Sequence, residues 1–168
     1  MRAVLLLAAL LAVGCRIDLD HREDDANTSG RTCKVATTAT CVEGAAMNKS
    51  DFTWIKTKIF AANCFGASCH SGVTASGNLD LIDDPYTTLM GATGAGTMSN
   101  IDPTKKRIVA GDPAQSYLFF MIHGLDGKMH DFTDPPGTVG FMPMANSTLC
   151  CQKIDAIESW IMNGAMND

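Results

Sequence analysis

The chain has 168 residues, of which 18% are charged, and its formal net charge is −5. It has no basic stripe, so its composition argues against a nucleic-acid partner. After an N-terminal targeting segment and a polar spacer are set aside, roughly 120 residues remain, enough for one small domain with one core. Seven cysteines and ten methionines stand out in a chain of this length.

Residues 1–15 have the features of a bacterial export signal. Arg2 supplies a short positive region, and the apolar stretch that follows is too short to span a bilayer. The stretch ends in Gly14-Cys15 and resembles a lipobox, in which Cys15 becomes a diacylated N-terminus that holds the protein on a membrane. Ordinary signal cleavage after Gly14 is the alternative.

Two further segments follow the export signal. Residues 16–31 are polar and charged without an apolar period, which predicts a tether, and residues 32–49 form a strap that contains Cys33 and Cys41. Residues 50–168 form the predicted domain. We therefore divide the chain into a signal peptide at 1–15, a tether and strap at 16–49, and a domain at 50–168.

Export implies an oxidising compartment, in which disulfides are stable. Four cysteines, Cys33, Cys41, Cys150 and Cys151, are candidates for two disulfides. Adjacent cysteines rarely bond to each other, so one hypothesis is that Cys150 and Cys151 reach back to Cys33 and Cys41. The alternative is a local Cys33–Cys41 bond, with Cys150 and Cys151 free or paired with each other.

The hydrophobic pattern predicts an all-α domain with three clear helices, one short helix and long loops. Apolar residues recur at helical spacing, Pro and Asp occur where helices begin, and Gly occurs where they end. The predicted helices are 52–63, a short one from Pro85 to Gly91, one from Pro113 to Gly124 with Asp112 as its N-cap, and one capped by Ser147 or Thr148 that ends at Gly164.

The first predicted helix leads into the most informative stretch of the sequence. Cys64 and Cys69 are separated by four residues, and His70 follows at once. Two thiols followed by an imidazole are the groups needed to tether a haem through thioethers and to ligate its iron. The usual spacer has two residues, so attachment through a single thioether, loss of haem binding, or a Cys64–Cys69 disulfide are alternatives.

A sixth iron ligand has to come from a distant segment on the opposite face of the haem. Met142 lies in the long loop at 125–147 and is followed by Pro143, which favours an extended conformation before it. A thioether sulfur is a soft ligand that favours ferrous iron. Met142 is the preferred candidate; the alternatives are Met144, Met98, His123 and His130.

These motifs, taken in order, carry a family resemblance that covers residues 50–166. They are Ile59–Asn63, Cys64 with Cys69-His70, Gly111-Asp112-Pro113, Ser116-Tyr117-Leu118, Met142-Pro143, Trp160-Ile161 and Gly164-Ala165. The sequence resembles the small secreted class I cytochrome c domains, notably the planctomycete-type and related bacterial lipoprotein forms. The resemblance implies a small cytochrome c-like fold around a haem. It also implies that haem c is held by Cys64, Cys69 and His70, that Met142 is the distal ligand, and that Trp160 lies where the first and last helices cross.

The function expected from these features is electron transfer by a lipoprotein with one covalently bound haem c, a carrier and not an enzyme. Its partners would be unknown redox proteins and, through Cys15, a membrane. It would lie in the cell envelope on the periplasmic side, with Arg16 favouring the outer membrane. Two other hypotheses are a haem-free, disulfide-stabilised structural or interaction lipoprotein, and a copper-binding module that uses His70, Met142 and a thiolate.

Overall fold

The computed structural model describes residues 33–46, 49–65, 69–124, 131–138, 140–144 and 149–168. Its helices are α1 (Ala39–Ala46), α2 (Phe52–Trp54), a π-helix (Ile55–Cys64), α3 (Pro85–Met90), α4 (Tyr117–His123) and α5 (Cys151–Met162), with short 3-10 helices at Gly72–Thr74, Ser76–Asn78 and Pro113–Gln115. Two isolated bridges, Lys34–Cys150 and Met98–Lys106, are the only β-type pairings of the described residues. The all-α prediction is therefore confirmed for this part of the chain.

The predicted helix at 52–63 forms over nearly the expected residues, but most of it has the wider turns of a π-helix instead of those of an α-helix. A short α-turn, α2, passes into the π-helix, a form that is rare and often occurs at functional sites. Asp51 caps the start, because its Oδ1 accepts the N–H of Trp54 at 2.8 Å. Asp168 adds a second cap by accepting the N–H of Phe52 at 2.7 Å, so the tail of the chain fixes the start of this helix.

The core lies where this helix crosses α5. Trp160 of α5 is 1% exposed, and its ring lies 5.0 Å from that of Phe52. Phe60 and Phe119 are buried in the same cluster. Burial of such large rings is the main source of stability in a small domain.

One predicted helix is interrupted in the structure. The helix expected from Pro113 to Gly124 is broken into a 3-10 turn, Pro113–Gln115, and α4, with Ser116 extended between them. The Ser116 hydroxyl donates to the carbonyl of Asp112 at 2.8 Å and accepts the N–H of Val109 at 2.9 Å. Hydrogen bonds of this kind compete with helical ones, which explains the break.

The start of the last helix also differs from the expectation. The helix begins at Cys151 with Cys150 as its N-cap residue, and Ser147 and Thr148 lie outside the described residues. It ends at Met162, where Asn163 is the C-cap residue, one residue before Gly164.

The strap contains a helix that the sequence analysis missed. Helix α1 packs on α5, and two disulfides join these segments: Cys33–Cys151 and Cys41–Cys150. This is the long-range pairing, and the local Cys33–Cys41 bond is absent from the structure. The Gln152 side chain donates to the carbonyl of Ala36 at 2.8 Å and reinforces the same contact.

No helix of the described residues has the length and apolar character needed to cross a bilayer. The predicted signal peptide with Cys15 and the predicted tether lie outside the described residues.

Candidate functional site

A cavity of about 430 Å³ lies between the π-helix, α4 and the loops on either side of them. Its volume falls within the range of about 300–1,000 Å³ that is typical of ligand pockets. Its lining is mostly apolar, with Ile59, Phe60, Leu79, Leu81, Leu89, Leu118, Ile122, Leu149 and Ile157 among the wall residues. Cys64, His70 and Met142 line this same cavity although they are far apart in the sequence.

The His70 ring is held in one orientation. Its Nδ1 lies 3.1 Å from the carbonyl oxygen of Leu79. A carbonyl can only accept a hydrogen bond, so Nδ1 carries the proton and Nε2 keeps a lone pair. Burial lowers the pKa of His70, against the raising effect of backbone hydrogen bonds with Leu79 and Ser76, and so favours the neutral ring. A neutral ring with its second nitrogen tied to a carbonyl is the usual state of a metal-ligating histidine.

The two cysteines of the motif differ in their surroundings. Cys64 is half-buried at the end of the π-helix and lines the cavity, whereas Cys69 is exposed. Both are free thiols, so the structure does not contain the Cys64–Cys69 disulfide that the spacing left open. Burial raises the pKa of the Cys64 thiol to about 12, although the nearby Lys153 ammonium acts in the opposite direction. Cys64 is therefore a neutral thiol at physiological pH.

Met142 is fixed in the cavity wall by its main chain. Its N–H donates to the carbonyl of Met121 in α4 at 3.0 Å. Its side chain packs against the main core and against a second, smaller cluster formed by Tyr117, Phe120, Met121 and Phe132. Met144 and Met121 also line the cavity, but Met144 is 58% exposed. The loop thus offers one half-buried and one exposed thioether.

A second anchor fixes an earlier part of the loop that carries Met142. The main chain of Thr133 is held at both ends: Asp102 Oδ2 accepts its N–H at 3.0 Å, and the Tyr117 hydroxyl donates to its carbonyl at 2.9 Å. The ring of Phe132 packs against the rings of Tyr117 and Phe120. Sequence reasoning did not single out Asp102, because nothing local marks an acid that caps a distant loop.

Arg107 is the charged group of the cavity wall. It is buried, and its guanidinium donates to the carbonyls of Thr88, Gly77 and Asn78 at 2.8, 3.0 and 3.2 Å. Among the described residues no carboxylate forms an ion pair with it, and no acidic side chain lines the cavity. A buried cation is costly without an anion. The wall therefore has a positive charge that an acidic ligand group would balance.

Two other candidates for a sixth ligand, Met98 and His123, are not among the residues that line this cavity. Met98 is 46% exposed and lies in the Met98–Lys106 bridge. His123 ends α4 beside the ring of Phe119, and His130 lies outside the described residues. In the part of the chain that the structure describes, no cluster of three or more His, Cys, Asp or Glu side chains could hold a metal ion.

No family model matches this sequence, and no curated protein or solved structure is significantly similar to it. The interpretation of the site therefore depends on its own residues and geometry.

Proposed function

We propose that the protein is an electron carrier with one covalently bound haem c and with His70 and Met142 as the axial ligands of the iron. The observation that carries the proposal is that Cys64, His70 and Met142 line one largely apolar cavity. A thioether-forming cysteine, a nitrogen ligand and a soft sulfur ligand are the groups that a c-type haem requires. Such a haem would supply an iron that changes between the ferric and ferrous states.

The residues of the cavity fit this group in three further respects. The Nδ1–H of His70 donates to the Leu79 carbonyl, which leaves Nε2 as the ligand atom. The apolar wall suits a flat macrocycle and keeps water from it. The buried Arg107 suits the carboxylate groups at the macrocycle edge.

The apolar surroundings of Cys64 favour haem over copper. A copper site would place an anionic thiolate among the apolar side chains of the cavity wall. A thioether carries no charge, so it suits the apolar wall in which Cys64 lies.

The position of Cys69 bears on how the haem would be attached. Cys64 lines the cavity, whereas Cys69 is exposed and is not part of the lining. We expect Cys64 to form the thioether that survives when the other cysteine is removed.

Export and a lipid anchor at Cys15 would place the carrier in the cell envelope, where an outer-membrane position agrees with Arg16.

The test is expression of the full chain together with a c-type haem maturation system. We expect a Soret band and a haem stain that persists on a denaturing gel. Cys69→Ser should keep covalent haem, while Cys64→Ser and His70→Ala should lose it. A colourless wild-type protein would refute the proposal and leave the haem-free, disulfide-stabilised lipoprotein as the better hypothesis.

The identity of the sixth ligand gives a second prediction. Met142→Ala should lower the reduction potential and open the sixth position to water, because a soft ligand that favours ferrous iron is removed. Met144→Ala is the matched control, since its side chain is 58% exposed in the same loop. Absorption spectra of the ferric protein and redox titration of both variants give the measurement. If Met144→Ala has the larger effect, the assignment of Met142 is wrong.

A further inference from the structure

His70 lies inside a loop whose carbonyls and amides are held by two oppositely charged side chains. The loop starts at Cys69, whose carbonyl accepts the N–H of Ser76 at 2.7 Å, and returns through Leu81, whose N–H donates to the His70 carbonyl at 3.0 Å. Leu79, which fixes the imidazole, belongs to the returning strand of this loop. The orientation of the ring therefore depends on whatever holds Leu79, together with the backbone hydrogen bond that Ser76 forms with the ring.

Arg107 holds the two residues before Leu79. One guanidinium nitrogen donates to the carbonyls of both Gly77 and Asn78. Both residues are in the left-handed region, with φ of 64° and 50° respectively. Gly and Asn are the residues that accept this conformation at least cost. The turn presents successive carbonyls to one buried donor.

Asp80 holds the residues on the other side of Leu79. One of its oxygens accepts the N–H groups of Ile82 at 2.8 Å and Asp83 at 3.1 Å, and the other accepts the N–H of Gly72 at 3.1 Å. The carboxylate thus ties the outgoing part of the loop to the returning part. Along the chain, Leu79 therefore lies between residues held by the Arg107 guanidinium and residues held by the Asp80 carboxylate.

We propose that Arg107 and Asp80 act as a pair of positioning residues that keep the Leu79 carbonyl on Nδ1 of His70 and so maintain the lone pair on Nε2 for the iron. The inference rests on the proposed function only in assigning that lone pair to iron. Both side chains hold the loop, and neither forms a hydrogen bond with the imidazole. The nearby Arg107 charge also lowers the pKa of His70 directly. A weaker Nδ1–H bond makes the imidazole a less basic ligand.

The first test uses the cofactor-free full chain and reads the His70 tautomer by 15N NMR. In the wild type we expect one dominant form, protonated at Nδ1. Arg107→Lys keeps the positive charge but loses the two-nitrogen fork, and Asp80→Asn removes one charged acceptor. Loss of one hydrogen bond is worth about 1 kcal/mol, so each variant should lower the tautomer ratio by ~5- to 10-fold.

Two control variants remove charges from exposed side chains. Lys106→Met removes an exposed ammonium that donates to the Ala95 carbonyl, and Asp131→Asn removes an exposed carboxylate paired with Lys105. Both should leave the His70 tautomer unchanged. Of the two substitutions, Asp80→Asn should disturb folding less. A folded Asp80→Asn protein with the wild-type tautomer ratio therefore overturns the proposal even if Arg107→Lys fails to fold.

A second measurement uses the haem-containing protein. Arg107→Lys and Asp80→Asn should both raise the reduction potential, because a less basic imidazole stabilises ferric iron less. A wild-type protein that takes up no haem refutes the proposed function, and the tautomer measurement still decides the role of Arg107 and Asp80. Haem-containing variants with the wild-type potential and an unchanged tautomer refute the positioning role alone.

Discussion

The side chain of Asp102 shows how one carboxylate can hold a loop at the edge of the cavity. It is buried, its Oδ1 accepts the Thr104 hydroxyl at 2.6 Å, and its Oδ2 accepts the N–H of Thr133 at 3.0 Å. Burial raises the pKa of Asp102, but the hydrogen bonds from Thr104 and Thr133 outweigh this effect and lower the pKa to about 2. The carboxylate is thus ionised in the folded protein well below neutral pH.

The depressed pKa predicts a loss of stability in acid. A group whose pKa is lower in the folded state stabilises that state above its unfolded pKa, here 3.8, and the contribution disappears as the pH falls towards about 2. We expect Asp102→Asn to lower the free energy of unfolding by about 2 kcal/mol at pH 7. The charged acceptor is lost, and the amide NH2 group of asparagine can face the N–H of Thr133, so that two donors oppose each other. Urea unfolding at pH 7 and at lower pH measures the effect.

The difference between wild type and Asp102→Asn should shrink as the pH falls from 4 to 2. Asp131→Asn serves as the control, since the Asp131 side chain is 95% exposed and its ion pair with Lys105 contributes little. A difference that stays constant with pH would contradict the role given to the Asp102 carboxylate.

At the scale of the elements, the helix that presents Cys64 depends on groups at its other end. Asp51 and Asp168 both accept N–H groups of its first turn. These N–H groups have no partner within a helix, so caps stabilise it. The last residue of the chain and the first cavity-lining helix are thereby coupled.

Removal of the Asp51 cap gives a prediction for this helix. Asp51→Ala should lower the free energy of unfolding by about 1 kcal/mol, whereas Asp51→Ser should recover most of the loss because serine is also a good cap. Thermal unfolding followed by circular dichroism gives the measurement. An Asp51→Ala variant as stable as the wild type would show that the Asp51 hydrogen bond contributes nothing.

The sequence allowed the helical class and several helix boundaries to be predicted, because these depend on local signals. Pro85 and Gly91 mark α3, for example, and the structure has it at Pro85–Met90 with Gly91 as the C-cap residue. The break at Ser116 was missed, since it depends on hydrogen bonds with Val109 and Asp112 that only the folded chain provides. Helix α1 was missed because it is held by contacts with α5, far away in the sequence.

The difference between local sequence signals and contacts made only in the folded chain also applies to the site. Cys64, His70 and Met142 carry signals in their neighbouring residues, and the structure brings all three to one cavity. Arg107 and Asp80 carry no such signal, because their partners are main-chain groups whose positions depend on tertiary structure. Side chains that hold a loop by its backbone cannot be recognised from residue type and spacing alone.

At the scale of the whole molecule, the two disulfides join segments that are 118 and 109 residues apart. A bond across so long a stretch strongly restricts the unfolded chain. Both bonds end on Cys150 and Cys151, at the start of α5 and directly after Leu149, which lines the cavity.

Removal of one disulfide should therefore be costly. The double variant Cys33→Ser/Cys151→Ser should lose about 2–3 kcal/mol of stability, and Cys41→Ser/Cys150→Ser a similar amount, because the remaining bond still closes the long loop and the lost bond closes only the short loop between the two pairs. Unfolding in urea without reductant compares both variants with the wild type. A loss below about 1 kcal/mol in either variant would mean that the strap contributes far less than its loop length implies.

The disulfides also change what a single cut in the chain can do. Thr133, Asp134 and the residues near Gly137 are exposed, whereas both bonds join segments on opposite sides of that stretch. If a protease recognition site is inserted after Gly137, the cleaved protein should run as one band on a non-reducing gel and as two bands after reduction. Cys64 and His70 would be on one fragment and Met142 on the other, so the two halves of the cavity would stay in one covalent assembly after cleavage.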